Sequence, residues 1–162
     1  MEQAEVSVKE NNFETKSDFT DVMRFHKQYS RAKHVSSIIE DFTQSDDRLE
    51  TDGVNTCVAC VAVGEGKAVL THSLTTNALR NVDRFLATIP EQVKKILVVG
   101  AAPLNKQNDR SKELWNEVKA RFDKYRSKNP NADIQMHKLE NPKLAVSIGV
   151  NARTNSIDTL VV

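Results

Sequence analysis

Cys57 and His72 are the residues whose types and spacing could carry chemistry. A thiol beside an imidazole is the minimum for nucleophilic acyl transfer. The ring draws off the proton, the thiolate attacks a carbonyl carbon, and the imidazolium protonates the leaving amine. An amide is the natural substrate for such a pair, by peptide cleavage or by side-chain deamidation. A third group would orient the imidazole, and backbone N–H groups near Cys57 would hold the oxyanion. The competing reading is structural: a free cysteine packs as a small hydrophobe, and a histidine at a strand end bonds to its surroundings.

A hairpin must position the pair. Val54–Val63 and Ala68–Ser73 are β-rich runs on either side of Gly64-Glu65-Gly66-Lys67. That connection sets Val63 opposite Ala68 and His72 opposite Ala59, so Cys57, two residues from Ala59, projects to the face of His72. Cys60 then faces Thr71 and points to the other side. A five-residue turn would set Cys60 against His72 instead, which makes Cys60 the alternative nucleophile, because a one-residue slip exchanges faces.

Around the hairpin, Phe19, Val22, Met23, Tyr29, Val35, Ile38 and Phe42 recur at helical steps, predicting an amphipathic helix over 17–42, broken near Tyr29–Arg31. Ser17 is its expected cap, with Asp18 and Asp21 at the positive end of the dipole. Gln44–Gly53 is polar and reads as a loop. A second helix fits Thr76–Thr88, and Lys95–Ala101 reads as a strand covered on both faces. A third helix fits Ser111–Ser127, with Trp115 in its core stripe, and strands follow at Asp133–Leu139, Lys143–Val150 and Ser156–Val162. The expected class is α+β: one mixed sheet packed with helices, as a single domain over 17–162 behind a flexible segment 1–16. Ala101-Ala102-Pro103 stands where a dinucleotide-binding fold would carry its glycines.

The 162 residues suit one domain, and a chain of this size buries about 70% of its unfolded surface, enough for a core without staples. A net charge of +1 argues against nucleic acid as the main partner. Residues 1–52 hold 12 acids against 7 Lys/Arg, and residues 53–162 hold 10 against 16, so an acidic N-terminal segment precedes a mildly basic body. No run approaches 18 apolar residues, so no membrane span is expected. The opening residues lack a basic region followed by an apolar one, so no Sec-type signal peptide is expected either. Cys57 and Cys60 on one extended strand point to opposite faces, which disfavours a shared zinc or a disulfide. His26, His34 and His137 have no ligand spacing, and neither metal nor cofactor is expected.

The segment Val54–Ser73, with a cysteine opening one hairpin strand and a histidine ending the next, resembles the CheD-like glutamine deamidases and the related cytotoxic necrotizing factor catalytic domains. Lys95–Ala101 is similar to the apolar strand of the chemoreceptor deamidases, and Ile148–Arg153 to a later stretch of theirs. The resemblance implies Cys57 as nucleophile, His72 as base and Thr51, six residues before the cysteine, as the group assisting His72. Asn55-Thr56 stand where the family carries glycine or serine, and Ser73–Thr76 replaces its glycine-rich stretch. The implied activity is conversion of glutamine to glutamate in a protein substrate. The implied setting is cytoplasmic, or a host cytosol reached by a non-Sec route as a bacterial effector. The rival readings are a cysteine protease or transglutaminase-like enzyme, and a non-catalytic module binding a protein through its acidic first or basic third helix.

Overall fold

A segment such as Val58–Gly64, apolar on both sides, is stable only where both faces of its sheet are covered, and the architecture meets that requirement. The computed structural model describes residues 13–37, 42–44 (backbone), 47–89, 93, 95–104 and 110–162. Among them the chain runs α1 (Phe19–Tyr29), β1 (Lys33–His34), β2 (Phe42–Gln44), β3 (Arg48–Val54), β4 (Val58–Gly64), β5 (Lys67–Ser73) and a 3-10 turn (Thr75–Asn77). Then come α2 (Ala78–Thr88), β6 (Lys95–Gly100), α3 (Ser111–Lys128), β7 (Asp133–Lys138), β8 (Val146–Asn151) and β9 (Ser156–Val161).

Two mixed sheets form where the sequence suggested one. The first has the order β1-β3-β8-β9 and the second β2-β5-β4-β6-β7, with β1 parallel to β3 and β6 parallel to β7. Their inner faces pack on each other: Leu49, Val146, Ile148 and Val150 of the first meet Ala59, Val61, Leu70 and Val99 of the second. The alternate residues Val58, Cys60, Ala62 and Val98 turn outward onto α2 and α3, against Val82, Phe85, Trp115, Val118 and Phe122. On the outside of the first sheet, Phe25 and Tyr29 of α1 pack on Leu160. The Tyr29 hydroxyl donates to Asp158, and its ring lies over Gly149, where a Cβ would come within 2.4 Å of it. The order of layers is helix, sheet, sheet, helices. No helix among the described residues is long and apolar enough to cross a membrane.

Three local expectations are corrected. The first helix stops at Tyr29, and Lys33–His34 instead pairs with β3. β-branched Val35, Ile38 and Ile39 match either period; residues 38–41 lie outside the described part. Its cap is Asp18, which accepts from the Asp21 N–H at 2.8 Å, while Ser17 bonds to Val161. The stretch read as a loop contains β3, whose alternation was hidden because its inner face holds Leu49 and the polar Thr51. Phe13 is buried and meets the His137 ring edge-on at 5.0 Å, and residues 1–12 lie outside the described part.

The hairpin has the register read from its turn. Val63 pairs with Ala68, Cys60 with Thr71 and Ala59 with His72. Glu65 and Gly66, both at positive φ, make the tight turn, which suits the twist of the flanking strands.

Candidate functional site

Along β5, alternate residues Ala68, Leu70 and His72 face the first sheet, and along β3 so do Leu49 and Thr51. Thr51 and His72 are the polar residues of these two inner faces, and they meet across the interface between the sheets. Thr51 Oγ1 lies 2.8 Å from His72 Nδ1. The Thr51 hydroxyl also donates to the Val35 carbonyl. A hydroxyl has one proton to give, so at the ring its oxygen accepts and His72 Nδ1–H donates. That fixes the neutral tautomer with its lone pair on Nε2. Nε2 is buried and has no hydrogen-bond partner among the described residues.

His72 is 4% exposed. Burial pushes its pKa down to about 4; the Asp52 carboxylate opposes this and His34 reinforces it. The ring is therefore neutral at pH 7, a base with an unused lone pair.

Cys57 occupies the bend between β3 and β4 and is half-buried. Burial pushes its thiol pKa up, against hydrogen bonds from Thr56 and from its own amide. Thiol and imidazole thus both rest neutral. The bend is held by the end of β6: Ala101 N–H donates to the Cys57 carbonyl and Ala102 N–H to the Asn55 carbonyl, each at 2.9 Å. Asn55 Nδ2 in turn donates to the carbonyls of Leu144 and Pro142. Gly100, at φ +148°, passes so close that a Cβ would lie 2.0 Å from the Cys57 carbonyl oxygen. Ala101 takes the left-handed conformation at φ +58°, a strain retained where surrounding structure over-determines it.

The structure brings Thr51 and His72 into contact, while Cys57 lies in the bend immediately before the paired residues of β4, which begin at Val58. No sulfur hydrogen bond reaches Nε2. Cys60 is fully buried on the helix side, opposite Thr71, and the five-residue turn that would set it against His72 is not formed. Sequence reasoning passed over Glu50 and Asp52, which flank Thr51 on β3. With His34 they place one nitrogen and two carboxylates within 4.8 Å of one another, a donor set of the kind that holds divalent metals. His34 Nδ1 is already in hydrogen-bond contact with the Glu50 carboxylate.

A cavity of about 460 Å³ opens next to the bend, lined by Thr56, Thr75, Thr76, Ala102, Arg110 and Leu114 among others. Thr56 adjoins Cys57 in the chain, but neither Cys57 nor His72 is among the described residues that line it. Compared with known proteins, the chain matches no protein-family model and no curated sequence.

Proposed function

We propose that the chain is a cysteine-dependent amidohydrolase that converts a glutamine side chain of a protein substrate to glutamate. The observation that carries this reading is the buried, unpartnered Nε2 of a neutral His72 whose Nδ1–H is held by Thr51. The resemblance of Val54–Ser73 to the CheD-like and necrotizing-factor deamidases supports it, as does the position of Thr51 six residues before Cys57.

With both groups neutral at rest, the thiol gives its proton to Nε2 as sulfur attacks the amide carbon. For this step Sγ must come within hydrogen-bond reach of Nε2, a contact made in excursions of the free protein and tightened in the complex. The imidazolium then protonates the departing nitrogen, the C–N bond breaks, and ammonia leaves a thioester on Cys57. Water adds to the thioester as His72 takes its proton. Collapse releases glutamate and returns the proton to sulfur. Thr51 keeps the ring in the tautomer that leaves Nε2 free throughout. The steps require no redox change. The proposed setting is the cytosol, either of the producing cell or of a host.

The test is incubation with glutamine-rich protein substrates, reading ammonia release and the mass change that replaces an amide NH₂ by OH. Wild type should give both, and Cys57→Ala neither. A shortened substrate would mean proteolysis, and no Cys57-dependent product would overturn the reading in favour of a binding module.

A further inference from the structure

We propose that the cavity beside the Cys57 bend is a subsite for the residues flanking the target glutamine, and that it selects a segment with an acidic side chain next to that glutamine. This rests on the amidohydrolase reading and extends it to sequence preference.

The cavity is placed for this role. One wall is Thr56, the residue before Cys57; another is Thr75 and Thr76, in the turn that follows His72 by three residues; a third is Ala102, whose N–H bonds to the Asn55 carbonyl. It therefore touches the elements that carry the thiol and the imidazole while the two side chains lie outside its lining. A glutamine delivered to Cys57 leaves its neighbours, about 3.3 Å apart per residue in an extended segment, to enter the space beside it.

The chemistry of the lining sets the preference. Among the described residues that line the cavity, Arg110 is the charged one; the rest are hydroxyl-bearing or apolar. Its guanidinium has no ion pair among the described residues, and its fork of donors matches a carboxylate. The threonine hydroxyls add further donors. Leu104, 78% exposed, lines the cavity, and Leu74, 45% exposed, precedes the threonine wall. Exposed leucines at the cavity, with Ala102 and Leu114 in its lining, suit an apolar side chain on the same bound segment. The excess of Lys/Arg over acids in residues 53–162 favours approach of an acidic partner.

The experiment uses the full chain with Cys57→Ser and three fluorescent peptides that share a central glutamine and differ only at the next position: Glu, Ala or Lys. In fluorescence anisotropy the Glu peptide should bind about tenfold tighter than the Lys peptide, and Arg110→Glu should reverse that order. Ammonia release from the same peptides by the Cys57 enzyme is read in parallel. Equal binding of all three, no binding of any, or an order unchanged by Arg110→Glu overturns the proposal. Ammonia released equally from all three leaves the amidohydrolase reading standing and the subsite refuted. A charge-dependent order reversed by Arg110→Glu, with no ammonia from any peptide, supports the acid-reading subsite and removes the amidohydrolase reading.

Discussion

On the face of β4 that meets the first sheet, Ala59 lies opposite His72; on the face that meets α2 and α3, Cys60 lies opposite Thr71. Each side of the hairpin carries buried polar atoms without a partner among the described residues: His72 Nε2 on one, Thr71 Oγ1 and Asn81 Oδ1 on the other. Asn81 is half satisfied, donating to Ser73 Oγ at 2.9 Å. Burial of an unpaired polar atom costs about 1–3 kcal/mol wherever it occurs, so cost does not separate the two faces. Chemistry does. Hydroxyl and amide oxygens take up no proton in the range where proteins stay folded, whereas the imidazole lone pair can, that of His72 near pH 4 at rest. Cys60 is sealed among apolar groups, while Cys57 sits half-buried in a bend held by Gly100 and Ala101. An unpaired atom becomes a candidate for function when it can titrate and a reactive group stands near it.

The sharpest contrast between the faces should come from the cysteines. Cys57→Ala should lower turnover by at least about 10³-fold with the fold intact. Cys60→Ala should retain turnover and lower stability by about 1–2 kcal/mol through the cavity it leaves. Ammonia release and denaturant midpoints check both, and a reversal of the two results would exchange the roles of the faces.

Gly100→Ala should cost about 3 kcal/mol or more, because its Cβ would fall 2.0 Å from the Cys57 carbonyl oxygen and backbone must move. The urea midpoint is the readout.

His72 gives a pH signature of similar size. Its pKa is near 6.5 unfolded and about 4 folded, so the unfolded chain binds the extra proton between those values. Stability is unaffected by this group above about pH 6.5 and falls as pH drops towards 4, by about 3 kcal/mol in all. His72→Gln should flatten that part of the stability curve.

The smallest pair concerns two threonines. Thr51→Val should lower turnover about 10–100-fold, as expected for loss of a group that orients a ligand or base, and Thr71→Val should leave turnover alone and change stability by no more than about 1 kcal/mol.

What the sequence disclosed follows the same division. The hairpin was legible because a continuous apolar run, a glycine-containing turn and a second run fix the register by counting. That register sets Cys60 opposite Thr71 and away from His72. β3 was not legible: over 48–52, Arg48, Glu50 and Asp52 alternate with Leu49 and with Thr51, whose inward position is explained only by its bonds to His72 and Val35, and the register is irregular before Val54. Thr51 was named through resemblance, since no local pattern marks it. The second sheet was missed for a related reason. Its edge strand β1 is two residues long and pairs in parallel with a strand that follows it, leaving no hairpin signal. The cavity beside Cys57 joins Thr56, Thr75, Ala102 and Arg110 from four separate stretches of chain, a proximity created by the tertiary packing alone.

The most direct measurement of the central claim is the rate of iodoacetamide alkylation at Cys57 and Cys60 in the folded protein at neutral pH, in wild type and His72→Ala. If His72 Nε2 serves the Cys57 thiol, Cys57 reacts faster than Cys60, and the substitution slows Cys57 while Cys60 remains protected. Equal inertness of the two thiols, or a Cys57 rate unchanged by loss of the imidazole, would contradict it.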